Sequence, residues 1–306
     1  MTESIYLFSN TRTIGLSIFR VVLSFLVLKN MIFYFPMAGE LFGPNAIFPY
    51  GDYLILMDIS GVGFLTFPFP NDLVARFFVA TTAIFSVLFL FGIFKRISGL
   101  ALFAMLFILK QRNGFILDGS DNVIEVTLPF LILANSYSHF NYRIPAIKKL
   151  EFYKDKFRGI LDCIKSLATI ALLIQICFVY FFTAFAKFQG SLWLNGTAIY
   201  YTMRVEEFRA TKWNIWLTEN HYFVVFSTYF TMLWELSFPF LVWFRQTRLL
   251  ILILGIFLHV GIWIFMRIDN FSWIMIGSYF IFVSNAEYLK FQEFLKYRFK
   301  VLSRTT

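Results

Sequence analysis

Residues 174–203 read IQICFVYFFTAFAKFQGSLWLNGTAIYYTM, an aromatic-rich apolar run with a single lysine, Lys187. The run breaks at residues 189–191 (QGS), continues through Trp193 and turns again at residues 195–196 (NG). An ammonium at the end of a membrane helix either extends to the interface along apolar surface or lies beside a cavity that uses its charge. The stretch by itself leaves both alternatives open, and the rest of the chain has to decide between them.

The composition is typical of a membrane protein. Hydrophobic residues make up 59% of the 306 residues and charged residues only 15%, whereas soluble domains have about 45–50% and about 25%. The apolar runs are long enough to cross a bilayer, which takes about 20 residues per helix. Because an open sheet edge cannot face lipid, the predicted fold class is all-α, a polytopic transmembrane bundle in the lipid bilayer. The net charge of +9 lies in short loops without dense basic blocks, so nucleic acid is not expected as a partner.

Hydropathy predicts a single integral membrane domain, residues 1–306, with about eight spans and interfacial amphipathic segments. The spans lie near residues 13–35, 73–93, 98–111, 122–137, 165–187, 222–244, 249–267 and 271–285. A basic cytoplasmic connection at about 140–162 separates helices 1–4 (about 1–139) from helices 5–8 (about 163–306). The first outer loop, residues 36–72, is rich in Gly, Pro and aromatic residues, which predicts an ordered loop or short helices.

Lysine and arginine cluster after the even-numbered spans. If the spans alternate, the basic segments at 95–96, 143–158, 245–248 and 290–300 all lie on one side of the membrane. Residues 36–72 instead hold four acidic residues and neither lysine nor arginine. The positive-inside rule therefore predicts that both termini are cytoplasmic.

An ionisable group inside a span needs a partner or a wet cavity. Arg20 lies in the middle of the first predicted span, Glu125 and Glu235 lie in the fourth and sixth, and His259 lies in the seventh. One interpretation is structural, with Arg20 paired to Glu125 or Glu235. The other is that an outer cavity is lined by Glu235, His259 and Lys187.

Residues 110–122, KQRNGFILDGSDN, predict a polar turn on the outer side, with Asp121 as the N-cap of the next helix. Lys110 and Arg112 on that side run against the positive-inside trend. They indicate either an anionic partner or pairing with Asp118 and Asp121, which are also predicted to line the outer cavity.

Motifs of soluble enzymes are missing: the sequence has no GxSxG, P-loop or GxGxxG pattern, and its three histidines have no ligand spacing, so no metal site is predicted. What remains is a lysine among aromatic side chains. Desolvation disfavours the charged ammonium relative to the neutral amine, and the neutral amine is a usable general base.

The stretch VYFFTAFAKFQGSLWLNGTAIYY (179–201) resembles the helix-and-turn motif of the HTTM family, the membrane domain shared with vitamin K-dependent γ-carboxylase. Lys187, Trp193 and Gly196 match that motif. Residues 112–123, 233–248 and 257–276 fit the same family. Within it, the length and the acidic-glycine turn followed by AK…W..GTA.YY are most similar to SdpB-like (sporulation-delaying protein B) proteins, which mature a secreted antimicrobial peptide.

The resemblance implies that Lys187 is the base that acts on a reduced, vitamin K hydroquinone-like quinone, with O2 and CO2 as co-reactants in a carboxylase-like reaction. His259 and Glu235 join it as catalytic candidates. The cofactor-binding candidates are Arg112, Asn113, Asp118, Asp121 and Trp193. The carboxylase has an Asn-Asn-His element where this chain reads RNGFILDG (112–119), so the resemblance does not extend to that histidine. We also expect none of the 306 residues to form the lumenal propeptide-binding domain of the carboxylase.

Three functions follow as hypotheses. The first is a quinone- or lipid-cofactor-dependent enzyme that modifies a secreted peptide, in a bacterial plasma (inner) membrane. The second is a non-catalytic factor for peptide toxin maturation or export, in which Lys187 docks a carboxylate and a small soluble or membrane maturation partner takes part. The third is a lipid- or quinone-binding structural subunit.

Overall fold

The computed structural model describes residues 8–142 and 158–302, and all the regular secondary structure in that part of the chain is helical. The α-helices, numbered in chain order, are α1 Thr13–Tyr34, α2 Ala38–Phe42, α3 Tyr50–Ile59, α4 Asp72–Leu90, α5 Arg96–Arg112, α6 Gly119–Leu133, α7 Arg158–Lys187, α8 Ser191–Leu194, α9 Ala198–Thr202, α10 Trp213–Glu219, α11 His221–Leu241, α12 Arg245–Met266, α13 Asp269–Tyr279 and α14 Asn285–Leu302. The all-α prediction is confirmed for the described residues.

Five of these helices are long and apolar enough to cross a membrane: α1, α4, α7 from Gly159, α11 and α12. The other three predicted spans, near 98–111, 122–137 and 271–285, correspond to the shorter helices α5, α6 and α13, of 17, 15 and 11 residues. Residues 36–72 contain the short helices α2 and α3, which is one of the two predicted alternatives for that segment. The length and apolar composition of these five helices indicate an integral membrane protein.

Local sequence explains where several helices begin. Asn71 precedes α4, and its side-chain oxygen accepts a hydrogen bond from the Val74 amide at 2.9 Å. Asn220 precedes α11 and accepts from the amides of Tyr222 and Phe223 at 3.0 and 3.2 Å. Asparagine is favoured at this position because its side chain satisfies amides that have no partner within the first turn.

The chain forms two compact units. Among the described residues, the first comprises residues 8–142, 158–169 and 284–302, and the second comprises residues 170–283. In the first, α1 packs along α4, α4 along α5, and α5 along α6, while α14 returns to α1. In the second, α11 contacts α8, α9, α10 and α12, and α12 packs against α13. Most of the basic connection at 140–162 lies outside the described residues.

Arg20 is fully buried in the first unit and binds main-chain carbonyls. Its guanidinium donates to the carbonyls of Phe89 and Leu90 at 2.5 and 2.8 Å, at the C-terminal end of α4. It also donates to the carbonyls that follow α6, those of Ser136, His139 and Phe140, at 3.0, 3.0 and 2.8 Å. The last carbonyls of a helix have no partner within the helix, and a guanidinium has five N–H donors to offer.

The prediction that Arg20 pairs with Glu125 or Glu235 is wrong. Glu125 pairs with Lys110 in the first unit, and Glu235 pairs with Lys187 in the second. Arg20 of α1 instead binds carbonyls at the end of α4 and after α6. The dipoles of these carbonyls compensate its charge in place of a carboxylate.

Candidate functional site

The chain turns sharply after Lys187, the last residue of α7. The Gly190 amide donates to the Lys187 carbonyl at 3.0 Å, and α8 begins directly afterwards. Gly196 has a φ of 73°, a left-handed conformation that glycine adopts without steric cost. A Cβ at this position would lie 3.0 Å from Cε2 of Tyr229, whose hydroxyl donates to the Leu194 carbonyl at 2.7 Å. The turn is therefore fixed against α11.

Lys187 forms an ion pair with Glu235 of α11. Its Nζ lies 2.7 Å from Oε1 and 2.6 Å from Oε2, and the side chains are 20% and 10% exposed. The same ammonium lies 5.0 Å from the centroid of the Trp193 ring, a cation–π contact. Because these contacts hold the charge within the protein, they favour the cavity alternative for Lys187 over extension to the interface.

The pair forms part of the wall of a cavity of about 410 Å³ within the second unit. Helices α7, α8, α9, α11, α12 and α13 all contribute to the wall, which is mostly aromatic and aliphatic. The ionisable side chains of the wall are those of Tyr180, Lys187, Glu235 and His259. Trp193 also lies in the wall. Ligand sites are typically concave and apolar with a few placed polar groups, so this cavity suits an apolar molecule with a polar end.

Two buried tyrosines join His259 in a hydrogen-bonded chain. The Tyr180 hydroxyl lies 2.9 Å from Nε2 of His259 and 2.5 Å from the Tyr279 hydroxyl. All three residues are almost completely buried, His259 being 1% exposed, while Nδ1 of His259 has no hydrogen-bond partner. Sequence reasoning missed both tyrosines. The signal available was a phenol within an apolar helix, since a buried tyrosine hydroxyl usually has a hydrogen-bond partner.

Asp118 and Asp121 cap helix α6. Asp118 Oδ1 accepts from the Ser120 amide at 2.6 Å, and Asp121 Oδ2 accepts from the Asp118 amide at 2.9 Å, which together form a capping box. The prediction that Asp121 is the N-cap is wrong, because Asp118 occupies that position and Asp121 is the third helical residue. Neither carboxylate belongs to the wall of the 410 Å³ cavity, contrary to expectation.

Arg112 and Asn113 hold the loop that follows α2. Arg112 is fully buried and donates to the carbonyls of Phe42 and Phe48 at 2.9 and 2.8 Å, and also to that of Gly43. The Asn113 amide nitrogen donates to the Leu41 carbonyl at 2.9 Å. Both side chains therefore have partners within the first unit and organise residues 41–48.

Lys110, two positions before Arg112, forms a salt bridge with Glu125 and lies 3.3 Å from the amide oxygen of Asn122. The prediction that Lys110 and Arg112 pair with Asp118 and Asp121 is wrong, since one binds Glu125 and the other binds carbonyls. These partners account for both cations without an anionic ligand.

The eight candidate residues thus fall into two groups. Four line one cavity of the second unit: Lys187, Trp193, Glu235 and His259. The other four belong to the first unit: Arg112, Asn113, Asp118 and Asp121.

Residues 161–286 match the HTTM domain. This HTTM region contains all four cavity residues and excludes the stretch at 112–123, and the match supports the HTTM family. No curated protein and no solved structure matches the chain.

Proposed function

We propose that this protein, whose residues 161–286 match the HTTM domain, is a membrane enzyme that modifies a secreted peptide. In this proposal it binds a reduced quinone or a related lipid cofactor and uses Lys187 as a base. The observation that carries the proposal is the ion pair of Lys187 and Glu235 in the wall of an apolar cavity. A group that can take up a proton next to an apolar binding volume is what base catalysis requires.

Glu235 gives Lys187 a route to act as a base. An ammonium has no free electron pair, so Lys187 must first release a proton. Both carboxylate oxygens of Glu235 lie within 2.7 Å of Nζ and can accept that proton. The resulting amine and carboxylic acid have the same net charge as the ion pair, so the transfer moves no net charge into the cavity. The neutral amine can then take a proton from a bound molecule.

The cavity residues fit an apolar cofactor with oxygen atoms at one end. Aromatic and aliphatic side chains would hold its apolar part, and Lys187 and His259 would face its polar part beside the Trp193 ring. A reduced quinone supplies reducing equivalents and reactivity toward O2, and CO2 would be the further reactant in a carboxylase-like reaction. The chain itself contributes the apolar volume, the proton acceptor at Nζ and the aromatic wall.

The docking alternative is less well supported. Lys187 already has both carboxylate oxygens of Glu235 on its ammonium. A peptide carboxylate that docks there has to displace Glu235 and leave it unpaired in an apolar wall, which is unfavourable. A small maturation partner remains part of either proposal, and the SdpB-like resemblance is the reason for proposing a secreted peptide as the substrate.

The proposed topology has eight spans with both termini in the cytoplasm of a plasma (inner) membrane. A tag after Thr306 should then be inaccessible to an impermeant reagent in intact cells, whereas a tag beside Gly51 should react. The basic loops after the even-numbered spans are the reason. Labelling at Thr306 together with protection at Gly51 contradicts the orientation, and the same result at both sites contradicts the even span count.

Quinol oxidation in lipid nanodiscs tests the enzymatic proposal. Purified protein should oxidise a short-chain menaquinol in the presence of O2 faster than protein-free discs do, measured as loss of quinol absorbance. Trp193→Ala removes an aromatic wall and the cation–π contact with Lys187 but leaves both members of the ion pair in place. It should weaken quinol binding and raise the apparent KM more than it lowers kcat. A wild-type rate equal to that of protein-free discs contradicts the enzymatic proposal.

A further inference from the structure

A second concavity of the same unit lies between α11 and α12, next to the 410 Å³ cavity. This groove has a volume of about 480 Å³, and its wall residues lie within 226–241 and 247–254. The wall is aromatic and aliphatic with a few hydroxyl groups, and none of the described residues that form it is charged. Three of its side chains, Phe226, Leu233 and Leu250, are exposed although both helices are apolar enough to span a membrane. Since the bilayer core holds no water, the groove is open to hydrocarbon.

The groove and the cavity share an aromatic side chain. Phe230 belongs to both walls, and its ring stacks on that of Phe226 with 5.8 Å between the centroids. Trp234 also lines the groove, and its ring lies 5.0 Å from that of Tyr180 in the cavity wall. The two concavities are therefore separated by a layer of aromatic side chains and adjoin each other at Phe230.

One face of α12 runs along the groove and then along the cavity. Residues on one face of a helix recur at steps of three or four, and such a series lines first the groove and then the cavity: Thr247, Ile251, Leu254, Leu258, Ile262 and Phe265. Phe257 is 71% exposed and still belongs to the cavity wall, so the cavity reaches the lipid-facing surface there. A molecule in the cavity can therefore extend into the groove without leaving the hydrocarbon region.

We propose that the groove binds the hydrocarbon tail of a membrane lipid whose oxygen-bearing ring lies in the cavity. This inference rests on the proposed function in that it takes the ring to lie beside Lys187 and Glu235. From Phe230 to the far end of the groove at Leu241, α11 rises about 17 Å at about 1.5 Å per residue. The ligand class is therefore a long-chain lipid with a prenyl or acyl tail.

The groove stabilises such a tail by contact. Lipid chains are as apolar as the wall, so moving a tail from the bilayer into the groove gains no hydrophobic free energy. A chain in a groove touches protein atoms along its length, however, and many small dispersion contacts add up. A ring bound in the cavity also keeps its own tail at a high effective concentration beside the groove. Because an acyl chain of the bulk bilayer has no such tether, the ligand's own tail is favoured as the occupant.

The test compares two quinones that share a ring, menadione without a tail and menaquinone-4 with a prenyl tail. Protein in nanodiscs is photolabelled with a naphthoquinone that carries a diazirine on its ring, and mass spectrometry measures the label in cavity-wall peptides. Each quinone is then added as a competitor at a measured mole fraction of the lipid, which removes differences in partitioning. We expect menaquinone-4 to halve the labelling at a mole fraction about tenfold lower than menadione does.

Leu250 and Leu249 provide a matched pair of variants on α12. They are 61% and 67% exposed, and of the two only Leu250 lines the groove. Leu250→Trp places a larger side chain in the groove, so it should remove the advantage of menaquinone-4 and leave competition by menadione unchanged. Leu249→Trp adds the same ring outside the groove and should leave both quinones as in the wild type.

The outcomes separate this inference from the proposed function. Equal mole fractions for the two quinones in the wild type mean that bulk lipid fills the groove, which overturns the inference while the ring label still supports a ligand in the cavity. A tail advantage that survives Leu250→Trp, or that is lost in both variants, overturns it as well. Absence of the ring label from the cavity overturns the inference together with the cofactor part of the proposed function. The labelling needs no turnover, so failure of Lys187 as a base would appear only in the quinol assay.

Discussion

Glu235→Gln and Lys187→Met are each expected to destabilise the protein by about 3 kcal/mol, whereas the double variant should lose less than either single one. The reason is that Lys187 and Glu235 are 20% and 10% exposed and hold each other's charge within an apolar wall. Removing one partner leaves an uncompensated buried charge, and removing both leaves none. The free energy of unfolding in mixed detergent micelles, from reversible SDS titration, measures this.

A second ion pair serves as the control for this prediction. Lys165 and Asp162 lie one helical turn apart on α7, with side chains 27% and 26% exposed and 2.7 Å between Nζ and Oδ1. Ion pairs one turn apart on a partly exposed helix face contribute about 0–1 kcal/mol. Asp162→Asn should therefore have little effect. Losses that simply add in the double variant of Lys187 and Glu235 would contradict a coupled pair.

The sequence identified the residues of this pair but not their pairing. Lys187 and Glu235 each stood out as charges in apolar runs, but 48 positions separate them and the hydropathy pattern does not say which helices are neighbours. The prediction assigned Glu235 to Arg20 as one of two possible partners. Arg20 binds carbonyls instead, and carbonyls occur at every residue, so a sequence pattern cannot single them out.

Local features were predicted more closely. The turn at 110–122 and the capping of the next helix depend on neighbouring residues, and the error there was limited to which aspartate occupies the N-cap. The tyrosines of the His259 chain were missed because a tyrosine in an aromatic-rich helix resembles its phenylalanine neighbours in hydropathy. Only the fold brings Tyr180 and Tyr279, 99 positions apart, within hydrogen-bond distance.

Lys187→Arg is expected to be as inactive as Lys187→Ala, each at least about 100-fold below the wild type in quinol oxidation, the lower range for loss of a general base. Arginine keeps the positive charge and can form a bidentate pair with Glu235, so the fold and the ion pair should survive. It does not release a proton in proteins, however, so the proton transfer to Glu235 cannot occur. An unfolding free energy close to that of the wild type provides the check that Lys187→Arg is folded.

The rate of quinol oxidation by Lys187→Arg in nanodiscs therefore tests the central claim most directly, because the variant retains the charge and loses only the transferable proton. We expect the rate of protein-free discs, together with a folded protein that still binds menaquinol. A wild-type rate in Lys187→Arg would contradict the claim that Lys187 is a base and would leave its charge as the feature that matters.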